Sequence, residues 1–305
     1  MSSTPAIHIG PHESARLVAA VERGGGEVVA LADAEAVVVD GGHGELPQLP
    51  SSVRWVQLPA AGIESWVSSG VLDTSRTWTS AAGAYSRAVA EGAVALLLAG
   101  VRGIGVAARR TSWDTAALDG AQSTLHGATV AIVGAGGIGR AVIPALTGLG
   151  AQVLAVTRRG LAVEGAARTL PADRVDEAFA AADHVVLAAP ATTQTRALVG
   201  AEQLEALGGQ GWLVNVARGS LVDTDALVAA LERSTIAGAA LDVTDPEPLP
   251  DGHPLWTQPR CIITPHCTNP TALRSAAYAQ RVQENVRRFA AGEDLLGRVD
   301  LQAGY

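Results

Sequence analysis

The chain contains no lysine; all 22 of its basic residues are arginine. That excludes Schiff-base chemistry on a side-chain amine and a phosphate-binding loop built around a lysine. Cysteine is nearly absent as well. Cys261 and Cys267 are the only two, too few for a disulfide framework. They flank His266, but no second cluster of ligands completes a zinc site, so no metal is expected. Both read as reduced structural residues of a cytoplasmic protein. Positive charge is in deficit, with a net charge of −8 and no basic tail, which argues against a nucleic-acid partner. The opening Met1-Ser-Ser-Thr-Pro5 lacks the charged and apolar regions of a signal peptide. A membrane partner is not expected either. The most apolar run, Ala88 to Ala108, is interrupted by Glu91, Gly92, Gly100 and Arg102, which suits a buried interdomain helix better than a span. No internal repeat has a solenoid period.

What is present points to an α/β protein. At 305 residues, 48% hydrophobic and 17% charged, the chain can bury a large core and form two domains. Residues 6–10, 27–31, 36–40, 53–58 and 77–80 read as short strands, with helices at Arg16–Arg23 and Gly62–Val67 between them. A long helix is expected from about Ala84 to Ala108, then a polar, irregular connection over Thr111–His126. The second half alternates more strongly. Its expected strands are Thr129–Val133, Gln152–Thr157, His184–Ala188, Leu213–Val216, Gly238–Val243 and Cys261–Thr264, with helices starting near Gly137, Arg174, Ala201 and Asp223. Pro270–Ala291 reads as a last helix, and the tail 292–305 has Leu295, Leu296, Val299 and Leu301 to bury in the first domain. Alternation of this kind implies parallel sheets.

The most informative stretch runs from Ala128 through Gly139 into Arg140. A β-branched apolar run stops at Gly134, and a helix-compatible run begins near Gly137. Between them lies G-x-G-x-x-G, as Gly134, Gly136 and Gly139. The first glycine permits a tight turn, the second lets backbone approach a pyrophosphate, and the third lets helix pack on strand. Gly134, Gly136, Gly137, Ile138 and Gly139 are therefore candidate cofactor residues at a helix N-terminus. At the end of the next strand, an acidic residue would accept from an adenine ribose hydroxyl. Thr157 stands there instead, followed by Arg158 and Arg159, whose guanidinium groups suit a 2′-phosphate. NADP(H) is the expected cofactor, with NAD(H) possible.

Three later segments carry a resemblance: Asn215-Val-Ala-Arg-Gly-Ser220, Ala240-Leu-Asp-Val-Thr-Asp-Pro-Glu-Pro-Leu-Pro250, and His253-Pro-Leu-Trp256 leading to Ile263-Thr-Pro-His266. In this order, after the glycine-rich loop, they resemble the D-isomer-specific 2-hydroxyacid dehydrogenases, in flavour the glyoxylate/hydroxypyruvate reductase branch. The segments Gly83–Glu91 and Glu284–Gly292 resemble the family too, so the likeness spans nearly the whole chain. It implies two doubly wound parallel-sheet domains: a Rossmann-type dinucleotide domain over residues 87–276, and a smaller flavodoxin-like substrate domain formed by 1–86 and 277–305. It implies a small 2-keto or 2-hydroxy acid as substrate, with Arg218 orienting the carboxylate and polarising the keto oxygen. His266 would be the acid/base, and Glu247 would hold its other ring nitrogen and favour the protonated form. Asp242 would contact the nicotinamide carboxamide, Pro190 and Val216 would skirt the cofactor, and Ala60, Ala61 and Gly62 would offer backbone N–H groups to the substrate carboxylate.

Two departures stand out. The family usually continues after the histidine with small apolar residues and glycine, whereas this chain has Cys267-Thr-Asn-Pro270. Glu91 is followed by Gly92 in place of a bulkier residue, which would widen the cleft. Trp256 is a candidate for lining the site. Two other classes of function share this fold: dinucleotide-sensing corepressors, and formate or phosphite dehydrogenases. Retention of Arg218, Glu247 and His266 favours the hydroxyacid reading over the first. The length of the apolar helix suggests a homodimer.

Overall fold

The computed structural model describes residues 4–42, 45–113, 115–120 and 122–301. The chain divides into two units, residues 1–85 with 270–305, and residues 86–269. The return to the first unit falls at Pro270 and not near 277, because the whole last helix packs in that unit.

The first unit holds a five-stranded sheet of β1 (Ala6–Pro11), β2 (Glu27–Val28), β3 (Ala36–Asp40), β4 (Trp55–Gln57) and β5 (Thr77–Thr79). All neighbours pair in parallel, in the order β2-β1-β3-β4-β5. That is the flavodoxin-like order, with a reversal between β1 and β3. The expected strand over 27–31 shrinks to two residues, since a 3₁₀ turn at Leu31–Asp33 takes over. Helix α1 (Ala15–Arg23) lies against the last helix of the chain, and α2 (Glu64–Ser68) is a short one after β4. Val37, Val39, Val56, Leu58, Ile63, Trp66 and Trp78 form the core. Burying each such side chain contributes about 1.5–3 kcal/mol.

The second unit opens with α3 (Ser86–Val101). The expected 25-residue helix ends early, at Arg102–Gly103, where Gly103 takes φ +62° and starts the separate turn α4 (Ile104–Ala107). A short α5 (Ala116–Asp119) interrupts the irregular connection, whose Asp114 and Ala121 lie outside the described residues. The sheet comprises β6 (Thr129–Val133), β7 (Gln152–Thr157), β8 (Arg168–Pro171), β9 (His184–Leu187), β10 (Trp212–Asn215), β11 (Gly238–Leu241) and β12 (Cys261–Ile263). Its order is β12-β11-β10-β9-β6-β7-β8, parallel throughout, with the reversal between β6 and β9. Six strands were expected; β8 is the seventh. Its sequence Arg-Thr-Leu-Pro has no apolar run, because an edge strand need bury only one side chain, here Leu170.

Helices α6 (Gly137–Gly148), α7 (Val175–Ala181), α8 (Ala201–Leu207), α9 (Thr224–Glu232) and α10 (Pro254–Thr257) connect the strands. The start of α9 is fixed by Asp223, whose carboxylate accepts from the Ala226 N–H at 3.0 Å. Phe179 of α7 is fully buried among Leu154, Val156 and Leu170.

The last helix, α11 (Thr271–Ala291), starts after Pro270 and stops at Gly292, which adopts φ +66°. Beyond it the tail packs in the first unit: Val299 is buried and its N–H donates to the Trp78 carbonyl at 2.9 Å. Residues 302–305 lie outside the described part. Among the described residues no helix is long and apolar enough to cross a membrane.

Candidate active site

Strand register gathers the candidate residues of the second unit at one edge of its sheet. Val133, Leu187, Asn215, Leu241 and Ile263 are consecutive partners across β6, β9, β10, β11 and β12. Each strand therefore releases its following loop at the same level, with neighbouring strands about 4.8 Å apart. Gly134, Val216, Asp242 and Thr264 are the next residues along; Pro190, Arg218 and His266 come at most two later. Carboxyl ends of strands at a reversal of order are where open α/β sheets bind ligands.

The glycine loop has the shape a pyrophosphate needs. Gly134 has φ +97°, and a Cβ there would collide with the Ala189 backbone. A Cβ on Gly139 would collide with the Gly134 carbonyl. A Cβ on Gly136, in contrast, would meet nothing within 4 Å, so that backbone faces open space. Helix α6 begins at Gly137, with Ile138 in its first turn, and points its unpaired N–H groups the same way. Across from it, at the end of β7, the Thr157 hydroxyl is buried with no hydrogen-bond partner, and Arg158 and Arg159 follow it on the surface. A buried hydroxyl without a partner is costly unless a ligand satisfies it. These residues fit a dinucleotide.

Pro190 is exposed, and its carbonyl accepts from the Thr195 hydroxyl at 2.7 Å; Val216 is buried at the end of β10. Arg218 follows two residues on. The Asn215 side chain fixes this turn by donating to the Arg218 carbonyl at 2.9 Å and accepting from the Ala217 N–H at 3.0 Å. Gly219 lies so close to the Thr244 carbonyl that a side chain there would clash. The contact seats the Arg218 turn against the Asp242–Glu247 loop. That loop is tied in turn by the Thr224 hydroxyl, which donates to the Asp245 carbonyl at 2.6 Å.

His266 and Glu247 meet as expected from their order: His266 Nδ1 lies 2.6 Å from Glu247 Oε1. Both side chains are about half exposed. His266 holds φ +49°, a left-handed conformation uncommon for a residue with a side chain. Trp256 is exposed on α10 and donates to the Pro250 carbonyl at 3.0 Å.

Asp242 follows β11 directly. It is 2% exposed, and its carboxylate accepts from the hydroxyls of Thr264 and Thr268, both at 2.6 Å, and from the Cys267 N–H at 2.9 Å and the Thr268 N–H at 3.2 Å. Three of these donors converge on Oδ1, and the Thr268 hydroxyl takes Oδ2. Thr264 and Thr268 were missed in the sequence, since a threonine hydroxyl gives no periodic or charge signal.

In the first unit, Ala60, Ala61 and Gly62 form the loop after β4. Among the described residues none of their N–H groups donates a hydrogen bond, while the Ala60 carbonyl accepts from Ala81 at 2.8 Å. Tyr85 braces the loop by donating to the Pro59 carbonyl, and burial pushes its phenol up to about 12.

The family model described as D-isomer specific 2-hydroxyacid dehydrogenase, NAD binding domain, matches residues 94–268. The chain is 41% identical over 298 residues to an uncharacterized protein of Corynebacterium melassecola, covering 97% of this chain and 98% of that one. It is 32% identical over 225 residues to a glyoxylate reductase of Korarchaeum cryptofilum, covering 70% of this chain but only 66% of the reductase. Among solved structures, a D-isomer specific 2-hydroxyacid dehydrogenase from Xanthobacter autotrophicus, in complex with NADPH and MES, superimposes with a TM-score of 0.83 at 28% identity. That likeness covers 99% of this chain and all of the other. The chain belongs to the D-isomer specific 2-hydroxyacid dehydrogenases, a family of NAD(P)-dependent oxidoreductases.

Proposed function

We propose that the protein reduces small 2-keto acids of the glyoxylate and hydroxypyruvate class to 2-hydroxy acids, with NADPH preferred over NADH. The observation that carries this reading is the 2.6 Å contact between His266 and Glu247, at a strand end in register with the strand that delivers Arg218. Bound NADPH would supply a hydride to the keto carbon. As that bond forms, the carbon–oxygen π bond breaks and the oxygen takes one proton. His266 is the donor, through Nε2, because Nδ1 is tied to Glu247. Glu247 fixes the ring orientation through its contact with Nδ1. Arg218 pairs with the substrate carboxylate and polarises the carbonyl. The N–H groups of Ala60, Ala61 and Gly62 are proposed as carboxylate donors of the first unit.

Cofactor choice follows from the end of β7. No carboxylate stands there to hold a ribose hydroxyl, and Arg158 and Arg159 offer planar guanidinium groups to a 2′-phosphate. Pro190 and Val216 would skirt the cofactor's other half. Similarity to the NADPH-bound Xanthobacter structure supports the same choice.

Following NADPH absorbance with glyoxylate, hydroxypyruvate, pyruvate and longer 2-keto acids tests the reading. Turnover of at least one is expected; turnover of none would sink it. The protein is proposed to act as a homodimer. Helix α3 does not support this, because Val89, Ala93, Leu96, Leu97 and Val101 are buried within its own unit. The support is Trp113, 97% exposed, and Ile104, more than half exposed. A monomer mass by sedimentation would refute it.

A further inference from the structure

The two departures from the family pattern, Gly92 and the Cys267-Thr-Asn-Pro270 run, are two sides of one contact. An added Cβ on Gly92 of α3 would lie 2.5 Å from Thr268 Cγ2 and 2.6 Å from Thr268 Cβ. Thr268 fills the space, and any larger residue at 92 would displace it.

Thr268 so placed closes a clamp around the Asp242 carboxylate. Its hydroxyl donates to Oδ2 at 2.6 Å, while the Thr264 hydroxyl donates to Oδ1 at 2.6 Å from the other side of His266. The main chain repeats the arrangement: His266 N–H donates to the Asp242 carbonyl at 2.8 Å, and the Cys267 and Thr268 N–H groups donate to the carboxylate. Each backbone N–H from residue 266 to 268 thus donates to Asp242, that of His266 shared with the Thr264 carbonyl at 2.9 Å. The segment it holds includes the left-handed His266, a conformation that persists only where its surroundings enforce it.

We infer that Thr268 is a positioning residue, admitted by the bare Gly92, that with Asp242 and Thr264 holds His266 in line for proton transfer. The inference rests on the reading of His266 as proton donor. A histidine displaced by about 1 Å from its productive place costs on the order of a hundredfold in rate. A threonine that only filled space could be replaced by valine without loss.

The test compares T268V, T268S and G92A with the wild-type protein in NADPH-dependent turnover, NADPH binding, and the rate at which 5,5′-dithiobis(2-nitrobenzoate) reacts with exposed Cys267. T268V keeps the shape and removes the hydroxyl. It is expected to lower kcat about ten- to a hundredfold, leave NADPH binding within about twofold, and speed the Cys267 reaction. T268S keeps the hydroxyl and should restore kcat and the thiol rate. G92A, which pushes on Thr268 from the helix side, should resemble T268V. Wild-type kcat and thiol rate in T268V, or equal losses in T268S and T268V, would overturn the clamp. Failure of the functional reading looks different: wild-type protein without keto-acid turnover, while T268V still exposes Cys267 and T268S does not.

Discussion

His266 Nδ1 and Glu247 Oε1 lie 2.6 Å apart, although 19 residues separate them along the chain. The pair forms because β11 and β12 are parallel neighbours whose ends are in register at Leu241 and Ile263. A half-exposed pair is screened by water, so its worth is in orientation more than in stability. Replacing His266 by Asn should lower kcat by about 10²–10⁴-fold, the usual contribution of an acid/base group, with NADPH binding nearly unchanged. Glu247→Gln should cost about tenfold in kcat, equivalent to about 1.4 kcal/mol. Steady-state kinetics beside fluorescence titration of NADPH separate the two effects.

Cofactor preference should move with Arg158 and Arg159. Replacing both by Ala removes charge-assisted hydrogen bonds of about 1.5–3 kcal/mol each, so KM for NADPH should rise at least tenfold while KM for NADH stays put. Equal KM values for the two cofactors in the wild-type protein would contradict the reading.

Gly134→Ala attacks the loop from inside. The residue has φ +97°, and the new methyl group would strike the Ala189 backbone. NADPH affinity should fall at least tenfold and the melting temperature should drop. Gly136→Ala has open space before it, so its melting temperature should stay near wild type while NADPH binding still weakens.

The two thiols should behave differently. Burial pushes the Cys261 thiol up to about 12, and Cys267 is exposed. With 5,5′-dithiobis(2-nitrobenzoate) at pH 8, one thiol per native chain should react, and two after denaturation. Thiolate is the reactive form, and a group with so high a pKa has almost none at that pH. Modification of Cys267, next to His266, should abolish turnover.

In the first unit, Asn285 is fully buried and ties the last helix to the sheet and the tail. It donates to Gln57 Oε1 at 2.7 Å and to the Leu296 carbonyl at 3.0 Å, and accepts from the Leu296 N–H at 2.8 Å. Asn285→Ala leaves buried polar partners unsatisfied and should destabilise this unit by about 1–3 kcal/mol. Urea unfolding measures the loss, and limited proteolysis near Leu296 should accelerate.

The glycine loop, the strands with strong apolar runs, and the order of Arg218, Glu247 and His266 were legible in the sequence alone. Each depends on local chemistry: positive φ at Gly134, β-branched runs that only buried parallel strands use, and residue types suited to proton and hydride chemistry. The edge strand β8, the break of the long helix at Gly103, and the clamp on Asp242 were decided by tertiary structure. An edge strand needs little apolar sequence, and a single glycine inside an alanine-rich run does not announce left-handed backbone. The role of Asp242 turned on which donors surround it. Thr264 and Thr268 reach it only because the loop after β12 folds back beside β11, and Thr268 fits only because Gly92, some 176 positions earlier in the chain, has no side chain. Residue types set the chemistry available. Packing between distant segments decided which groups hold the histidine in place.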